Sequence, residues 1–359
     1  MMSNEKKPVA AIAMSGGVDS AVASLLLRDS LPDHDVLGVT MSLYRGEPTL
    51  ATSDEQMCAD ARAVAQRVGI EHAVCDLQEE FCRTVMDDFC REYLAGRTPN
   101  PCVVCNKHIK FGALWAFVQN RGADILATGH YARIEQTSNG RTLIRLAADA
   151  SKDQTYMLWS LSQDVLAHVR LPLGELSKAE VREIATANGF INANRKDSQD
   201  ICFIPDGDYV SFLARYADIV PTPGAYLDTE GNVIGQHKGM LCYTIGQRKG
   251  LGMSFGKHMF VCDKSAANNT VTLSDEDRLF HRAVDLSNTN YIPFDTLTSP
   301  MRVKAKLRYR HAAEEATLIP TGERTARLEF DRPQRAPAAG QSAVFYDGDY
   351  LVGGGIIEK

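Results

Sequence analysis

The sequence predicts an α/β fold: a doubly wound parallel sheet followed by two smaller all-β domains, the last of them a β-barrel. In the first half of the chain, short apolar runs alternate with amphipathic stretches. After residue 205 the chain changes to short alternating runs punctuated by glycine. At 359 residues it is too long for one ordinary domain. We therefore expect three domains, at residues 1–205, 206–282 and 283–359.

The composition is that of a soluble globular protein, with 44% hydrophobic and 23% charged residues, which excludes a disordered chain. No apolar run approaches the roughly 18 residues of a membrane span. The net charge of −6 argues against a protein that is basic all over, but it allows a local basic track. The chain begins with a predicted strand rather than a signal peptide, and its nine cysteines suggest a reducing compartment. We expect a cytoplasmic monomer.

The elements of the first half follow from local patterns. Ser53 with Gln56 forms a capping box that opens a helix, and Ser177 with Glu180 opens another. Strands separated by helices imply a parallel sheet. The predicted strands are Val9–Met14, Val36–Met41, His72–Cys75 and Ile125–Thr128, and a hairpin surrounds Ser138-Asn139-Gly140. The predicted helices are Asp19–Arg28, Ser53–Val68, Glu79–Leu94, His108 to about Gln119, and Ser177 to about Ala187.

The second half reads as β structure. From Gly224 on, the runs AYLDTEGNVIG, HKGMLCYTIGQRKGLG and KHMFVCDK resemble antiparallel hairpins. The segment Met301–His311, MRVKAKLRYRH, has a cation at every second position, which on a strand places five cations on one face. An ordinary surface intersperses charges of both signs, so we interpret this face as an RNA-binding track. Gln247-Arg248-Lys249 is a second candidate contact.

A glycine-rich loop, Ser15-Gly16-Gly17-Val18-Asp19-Ser20, connects the first predicted strand to the first helix. Its amides and the helix N-terminus are suited to bind an anion, and Asp19 is suited to hold Mg²⁺ or to orient the loop. The loop fits neither a Walker loop nor a dinucleotide fingerprint. It resembles the PP-loop, SGGxDS, of enzymes that split ATP between the α and β phosphates. The candidate ATP-binding residues are Ala13, Met14, Ser15, Gly16, Gly17, Val18, Asp19, Ser20, Met41 and Gly129.

Two cysteines stand out from the rest. Cys105 follows a loop with two prolines, near a predicted helix N-terminus and close in sequence to Lys107 and Lys110, so we expect a low thiolate pKa. Cys202 lies just before residue 205, after which the chain changes to short alternating runs. The remaining cysteines, apart from Cys102, are interpreted as small buried hydrophobes: Cys58, Cys75, Cys82, Cys90, Cys242 and Cys262.

Eight motifs occur in order along the chain: SGGVDS, RTPNPxxxCNKxIKF, ATGHY, SKDQTY, DSxxICF, TIGQRKGLG, RYR and AGQSAVFY. Together they resemble the bacterial tRNA-specific 2-thiouridylases, the MnmA family of the PP-loop ATP pyrophosphatase superfamily, over essentially the whole chain. The resemblance implies an adenine nucleotide alpha hydrolase-like fold. It also implies a tRNA-uridine 2-sulfurtransferase that uses ATP and Mg²⁺ to convert the wobble uridine, position 34, to 2-thiouridine.

The resemblance also implies roles for individual residues. Cys105 matches the catalytic nucleophile and Cys202 the cysteine that carries the persulfide. A persulfide donor, either a cysteine desulfurase or a sulfur relay protein, is the implied partner besides tRNA. The positions that match tRNA-binding residues are Asn100, Pro101, Cys102, His130, Lys152, Asp153, Gln154, Arg308, Tyr309 and Gln341.

The sequence departs from the family pattern at two places. Position 102 is commonly acidic in the family but is Cys here, which creates a Cys102-x-x-Cys105 pair, and Gln199-Asp200 stands where many members have Thr-Gly. A C-x-x-C pair also suits an iron–sulfur cluster, as in PP-loop 2-thiocytidine synthetases, although a second C-x-x-C is missing. The metal content therefore stays open.

Two other functions remain at this point. One is another PP-loop adenylating enzyme, such as a 2-thiocytidine synthetase or a GMP synthetase-like ligase. The other is a nucleotide-gated RNA-binding protein without catalysis, which would leave Cys105 and Cys202 without a role. For the thiolation reaction, direct attack by the persulfide and release of free sulfide are both possible routes.

Overall fold

The computed structural model of this protein describes residues 7–44, 54–193 and 201–358. Up to residue 193 the strands are β1 Val9–Ala13, β2 Asp35–Ser42, β3 Glu71–Asp76, β4 Ala123–Ala127, β5 Arg133–Gln136, β6 Thr142–Arg145 and β7 Val169–Arg170. The helices are α1 Val18–Ser30, α2 Asp54–Val68, α3 Gln78–Phe81, α4 Asp87–Leu94, α5 Pro101–Cys105, α6 Leu114–Gln119, α7 Gln163–Leu166 and α8 Lys178–Ala187. The π-helical segments Cys82–Met86 and Asn106–Ala113 continue α3 into α4 and α5 into α6, and Thr155–Met157 is a 3₁₀ turn.

From residue 201 on, the chain contains one further helix, α9 Tyr209–Ala217, within its described part. The strands are β8 Gly224–Leu227, β9 Val233–His237, β10 Phe260–Ser265, β11 Thr270–Ser274, β12 Phe280–Tyr291, β13 Met301–Lys306, β14 Glu314–Gly322, β15 Thr325–Arg335, β16 Ser342–Asp347 and β17 Tyr350–Ile357. Met240–Cys242 and Glu276–Leu279 are 3₁₀ turns. The chain divides into two compact units, one of residues 1–85, 102–206 and 349–351, and one of residues 86–101, 207–348 and 352–359.

The first unit is built on a parallel sheet with the strand order β3-β2-β1-β4-β7. Helix α1 packs against both α2 and α8, and its apolar face joins β1 in a core that contains Ile12, Val22 and Leu27. Because β1 and β4 are parallel neighbours, their carboxyl ends lie side by side, where open α/β sheets bind ligands. The predicted doubly wound parallel sheet is confirmed.

The second unit contains two β structures. Strands β10-β11-β8-β9 form one sheet. Strands β12-β15-β14-β13-β16-β17 form another, which closes because β12 also pairs with β17. The closed barrel has an apolar interior that includes Leu318, Leu328 and Phe345. The predicted β-barrel at the end of the chain is confirmed.

The structure corrects three local predictions. The helix expected from His108 begins instead at Pro101, because proline suits the first helical position, where its missing N–H costs nothing. Helix α9 was not predicted, although Asp208 caps it by accepting a hydrogen bond from the amide of Ser211 at 3.0 Å. The run HKGMLCYTIGQRKGLG forms a 3₁₀ turn and irregular structure, since all four of its glycines have positive φ angles.

Of the two predicted capping boxes, one lies within the described residues. The capping box of Ser177 and Glu180 is present, with both of its reciprocal hydrogen bonds. Ser53, the predicted cap of α2, lies outside the described residues, as do Gln199 and Asp200. Among the helices of the described ranges, none is both long and apolar enough to cross a membrane.

Candidate functional site

The loop between β1 and α1 is closed by its own hydrogen bonds. Gly16 has a φ of +66°, and a Cβ at this position would lie 3.0 Å from atoms of α2, so the loop needs glycine here. The hydroxyl of Ser20 accepts a hydrogen bond from the amide of Ser15 at 3.2 Å and donates one to the carbonyl of Gly17 at 3.0 Å. Ser20 is buried and Ser15 is exposed, so Ser20 shapes the loop and Ser15 faces outward.

The N-terminus of α1 offers backbone groups to a ligand. Gly17 is the N-cap and provides no side-chain acceptor for the amides of the first turn. Those amides and the helix dipole together favour a bound anion. Met14 and Val18 are buried as whole residues, so the side chains at these two candidate positions do not face solvent. Met41 is half-buried near the end of β2, at the same edge of the sheet.

Asp19 is held by two side chains from distant parts of the first unit. The ammonium of Lys178 donates to its two carboxylate oxygens at 2.7 and 2.9 Å. The hydroxyl of Tyr131 donates to Oδ1 at 2.7 Å. Asp19 therefore joins the loop to the start of α8 and to the segment that follows β4.

The carboxyl end of β4 lies against the loop. A Cβ on Gly129 would be 3.1 Å from the carbonyl carbon of Asp19 and from the amide nitrogen of Ser20, so glycine allows the two backbones to approach closely. The next residue, His130, is buried, and its Nδ1 lies 2.7 Å from the hydroxyl of Thr128. Burial, together with the charge of Lys110, holds the pKa of His130 well below its usual value, so its imidazole is neutral.

Three cysteines of the first unit lie close enough to act on one another. Cys102 and Cys105 share one face of the helix that begins at Pro101, three residues apart. Cys102 and Cys202 are exposed and Cys105 is buried. A negative charge on Cys105 or Cys102 raises the pKa of Cys202. Both thiols of the C-x-x-C pair therefore lie within electrostatic range of the Cys202 thiol. All three are free thiols.

The expected low pKa of Cys105 is wrong. Loss of solvation raises the pKa of Cys105 to about 11, and the opposing effect of the Lys110 charge is smaller. The residue is only 8% exposed, so water cannot stabilise a thiolate there. Loss of solvation likewise raises the pKa of Cys202 to about 12, although the residue as a whole is exposed. For Cys105, the loss of solvation therefore raises the pKa by more than nearby positive charge lowers it.

The helix after the cysteines widens into π-helical geometry. The amide of Leu114 bonds to the carbonyl of Ile109, five residues back. A Cβ on Gly112 would lie 3.1 Å from the carbonyl oxygen of Lys107, which explains the glycine in this turn. Asn106, at the start of the segment, is buried, and its Nδ2 donates to the carbonyl of Met157 at 3.3 Å. Such segments occur frequently at functional sites.

Several candidate tRNA-binding side chains are engaged in internal hydrogen bonds. In the first unit, Asp153 is buried and accepts hydrogen bonds from the amide of Ala147 at 3.0 Å and the hydroxyl of Thr155 at 2.7 Å. Gln154 accepts one from the amide of Tyr131 at 3.0 Å. Lys152 is half-buried. The first two side chains thus hold the shape of their loop.

In the second unit, the segment before Asn100 and Pro101 is held by the end of the barrel. The side-chain amide of Gln341 donates to the carbonyls of Thr98 and Pro99 at 2.9 and 3.1 Å. Arg97 is ion-paired with two carboxylates, Glu92 at 2.7 Å and Glu358 at 2.6 Å. Gln341 therefore positions the segment that leads into Asn100.

The prediction of five cations on one face of a strand over Met301–His311 is wrong in two respects. Strand β13 ends at Lys306, so Arg308 and Arg310 lie in the turn beyond it and do not extend the row. The cations on the strand also have acidic neighbours. Arg302 binds both carboxylate oxygens of Asp331, at 2.9 and 2.8 Å, and the ammonium of Lys304 lies 3.6 Å from Glu315. The face therefore has mixed charge, like an ordinary solvated surface.

The turn after β13 approaches two other basic segments within the second unit. The Arg308 guanidinium donates to the carbonyl of Ala336. A Cβ on Gly246 would lie 3.4 Å from the Arg335 guanidinium and 4.0 Å from that of Arg308. Tyr309 is half-buried in this turn.

Close to this turn, the second unit contains a cavity of about 500 Å³ with an excess of cations. Two of them are paired, Lys257 with Asp275 at 2.9 Å and Arg335 with Glu276 at 2.9 Å. Within the described part of the chain, Arg248 has no carboxylate partner. We call this surface the basic groove; its lining residues are Arg248, Lys257, His258, Phe260, Asp275, Glu276 and Arg335.

Sequence reasoning missed Tyr131, Lys178 and Asn192. Asn192 is buried, and its Nδ2 donates to the carbonyl of Gly16 at 2.7 Å. Its position 176 residues away from that glycine explains why no local pattern indicates the contact. The described residues contain no group of three or more His, Cys, Asp or Glu side chains arranged to hold a metal ion.

A glycine-rich loop at the carboxyl edge of a parallel sheet, capped by a helix N-terminus, defines a nucleotide-binding α/β domain. Family models agree with this class: residues 8–206 match a tRNA methyl transferase HUP domain. Residues 210–275 match a tRNA methyl transferase PRC-barrel domain, and residues 281–357 match an aminomethyltransferase beta-barrel domain.

Whole-chain relatives narrow the class to one family. The tRNA-specific 2-thiouridylase MnmA of Clostridioides difficile (strain 630) is 47% identical, with 97% of each chain covered. That of Clostridium acetobutylicum is 46% identical over 97% of this chain and 98% of its own. That of Symbiobacterium thermophilum is 44% identical over 97% of this chain and 91% of its own. The chain belongs to the family of tRNA-specific 2-thiouridylases, MnmA.

The high pKa of Cys105 predicts slow alkylation near neutral pH. Only the thiolate reacts, so the rate of modification by iodoacetamide should rise about tenfold per pH unit from pH 7 to about 10, without a plateau. The protonated thiol stabilises the fold below its ordinary pKa of about 8.5, and this contribution is lost as the pH rises towards about 11. Mass spectrometry of the peptide that contains Cys105 gives the rate.

The urea-unfolded protein is the control for this measurement. Its Cys105 should show a plateau above about pH 9, as a solvated thiol does. A native rate that levels off below pH 9 would contradict the effect of burial.

Proposed function

We propose that this protein is an ATP-dependent tRNA-uridine 2-sulfurtransferase that thiolates the wobble uridine, position 34. One observation carries the proposal beyond family membership. The Phe111 ring, on the helix that continues from Cys105, lies 6.0 Å from the ring of His130. His130 follows Gly129, which lies against the glycine-rich loop. This contact supports a position of Cys105 near the glycine-rich loop, at the carboxyl end of β4.

The first step activates the uracil. Oxygen 2 attacks the α-phosphorus of ATP, the N3 proton leaves to solvent, and the bond to the bridging oxygen breaks with its electrons going to pyrophosphate. The amides of the loop and of the first turn of α1 hold the phosphates. Oxygen 2 is a poor leaving group, whereas AMP is a good one, so carbon 2 becomes open to attack by sulfur.

The second step delivers sulfur from a persulfide on Cys202. In the direct route the terminal sulfur attacks carbon 2 and displaces AMP, and Cys105 then attacks the Cys202 sulfur, leaving sulfur on the base. In the other route Cys105 attacks first and releases sulfide, which displaces AMP. Both routes end with a Cys105–Cys202 disulfide, which a dithiol reductant must reduce before the next turnover.

Asp19 would hold Mg²⁺ at the loop beside the Lys178 ammonium, which binds both of its carboxylate oxygens. Mg²⁺ takes one or two carboxylates together with substrate phosphates, and Asp19 is the acidic side chain of the loop. When bound, the ion neutralises negative charge on the phosphates. ATP and Mg²⁺ are thus the proposed cofactors, and Ala13, Met41 and Gly129 border the proposed nucleotide site.

We keep three further proposals from the sequence. The domains are residues 1–205, 206–282 and 283–359, and the protein acts as a cytoplasmic monomer. A cysteine desulfurase or sulfur relay protein loads Cys202. The exposure of Cys202 supports this, because a donor protein needs direct access to the thiol that it loads.

Replacing either catalytic cysteine should abolish turnover. Cys105→Ala and Cys202→Ala are expected to lower 2-thiouridine formation at least about 1000-fold, because each variant lacks one partner of the required disulfide. Neither residue belongs to the loop, so ATP binding should remain within about twofold. Nucleosides from tRNA incubated with ATP, Mg²⁺ and a persulfide donor are measured by mass spectrometry.

Cys262→Ala is the matched control, since Cys262 lies on β10 in the second unit. It should thiolate tRNA at the wild-type rate. Full activity of Cys202→Ala with a persulfide donor would refute the assignment of the persulfide.

The basic groove is the proposed tRNA surface of the second unit. Phosphate contacts need cations that are not already neutralised, and Arg248 meets that condition where Arg302 does not. Arg308 and Arg335 converge on the same loop. The groove thus replaces the β13 strand face as the electrostatic contact.

Paired single substitutions test this choice. Arg248→Ala should weaken tRNA binding and reduce the slope of log affinity against log salt by about 0.9, the value for one duplex phosphate contact. Arg302→Ala also removes one exposed arginine, but its charge is balanced by Asp331, so the slope should change by less than about 0.3. Binding is measured by filter retention between low and moderate salt. Equal slopes for the two variants would argue against the groove.

A further inference from the structure

The ion pair between Lys178 and Asp19 lies at the loop itself. Asp19 is in the first turn of α1, whose amides are the proposed phosphate site, and the Lys178 ammonium is 2.7 and 2.9 Å from its carboxylate oxygens. The Lys178 side chain is only 10% exposed, whereas Asp19 is 31% exposed. A lysine has thus been taken largely out of water and placed at an anion site.

The loop supplies no cation of its own. Residues 15–20 contain neither lysine nor arginine, so its attraction for phosphate comes from amides and the helix dipole alone. The proposed reaction leaves pyrophosphate, a polyanion whose charge grows as the bond to the α-phosphorus breaks. A full positive charge placed near the developing charge therefore stabilises the transition state.

The surroundings hold Lys178 at the loop by several contacts. Its own amide donates to Asp149 at 3.1 Å, and the capping box of Ser177 sets the start of α8. Its ammonium lies 5.9 Å from the ring centre of Tyr131, whose hydroxyl also binds Asp19. A purely structural pair gains little from burial, because desolvation of both charges offsets their attraction.

We propose that Lys178 is a catalytic cation of the adenylation step, kept at the loop by Asp19 and neutralising the pyrophosphate as it leaves. The inference rests on the proposed function and deepens it. As uracil oxygen 2 bonds to the α-phosphorus, the electrons of the breaking bond go to the bridging oxygen of pyrophosphate. Lys178 keeps its three protons and supplies charge and hydrogen bonds, so no further reactant is needed.

Binding of pyrophosphate and of AMP to the isolated protein, followed by calorimetry, tests the assignment. Lys178→Met should weaken pyrophosphate binding at least tenfold and leave AMP binding within twofold, because the lysine acts on the phosphates that leave. At saturating ATP, a single turnover with tRNA should form AMP at least 100-fold more slowly. Lys178→Arg keeps the charge and should recover part of both losses.

Lys7→Met is the matched control. Lys7 is an exposed lysine just before β1, at the opposite end of that strand from the loop. This variant should bind pyrophosphate and form AMP like the wild type.

A second pair of variants avoids leaving Asp19 without its partner. Asp19→Asn can still accept a hydrogen bond from Tyr131, and without metal it should bind pyrophosphate at least threefold more tightly than the wild type, since a repelling charge is gone. Asp19→Asn combined with Lys178→Met leaves no unpaired charge and should bind pyrophosphate at least tenfold more weakly than Asp19→Asn alone. Equal affinities of these two variants would overturn the assignment. A wild-type protein that binds pyrophosphate but forms no 2-thiouridine would instead refute the proposed function.

Discussion

The close contact between Gly129 and the backbone of Asp19 and Ser20 is the constraint on which the site depends. It sets the distance between the loop after β1 and the end of β4 at van der Waals contact, and any side chain at Gly129 would move the two apart. Thr128 and His130 are held by the same strand end, and Tyr131 reaches back to Asp19. The glycine-rich loop and the end of β4 are therefore joined by both backbone packing and side-chain hydrogen bonds.

Loss of solvation favours the protonated form of both Cys105 and Cys202. The raised pKa values of Cys105 and Cys202 mean that both are thiols at neutral pH, and thiols are far poorer nucleophiles than thiolates. Oxidation also follows thiolate character, so the protonated form slows the oxidation of both cysteines. The charge of Lys110 opposes the effect of lost solvation at both cysteines but is smaller than it.

Local sequence predicts those parts of the molecule that depend on local interactions. The Ser177 capping box, the parallel strands and the glycine-rich loop all follow from neighbours within a few residues, and the structure has them. The β13 face could not be predicted, because its charges are balanced by Glu315 on β14 and Asp331 on β15, and pairing between strands is not a local property. The same holds for Lys178, which is 159 residues from Asp19, and for the pKa of Cys105, which depends on burial.

The π-helical segment Asn106–Ala113 has a consequence for how this helix can evolve. A π-helical backbone hydrogen bond spans five residues, one more than the hydrogen bond of an α-helix. The segment therefore rotates the end of the helix before it relative to the end after it, compared with an unbroken α-helix. The end that carries Cys102 and Cys105 can thus face in a different direction from Leu114 and Val118, which are buried in the apolar interior. Deleting a single residue from this segment would restore a regular α-helix and rotate the cysteine end relative to the buried end. Insertions and deletions should therefore be excluded in this segment, even where substitutions are tolerated.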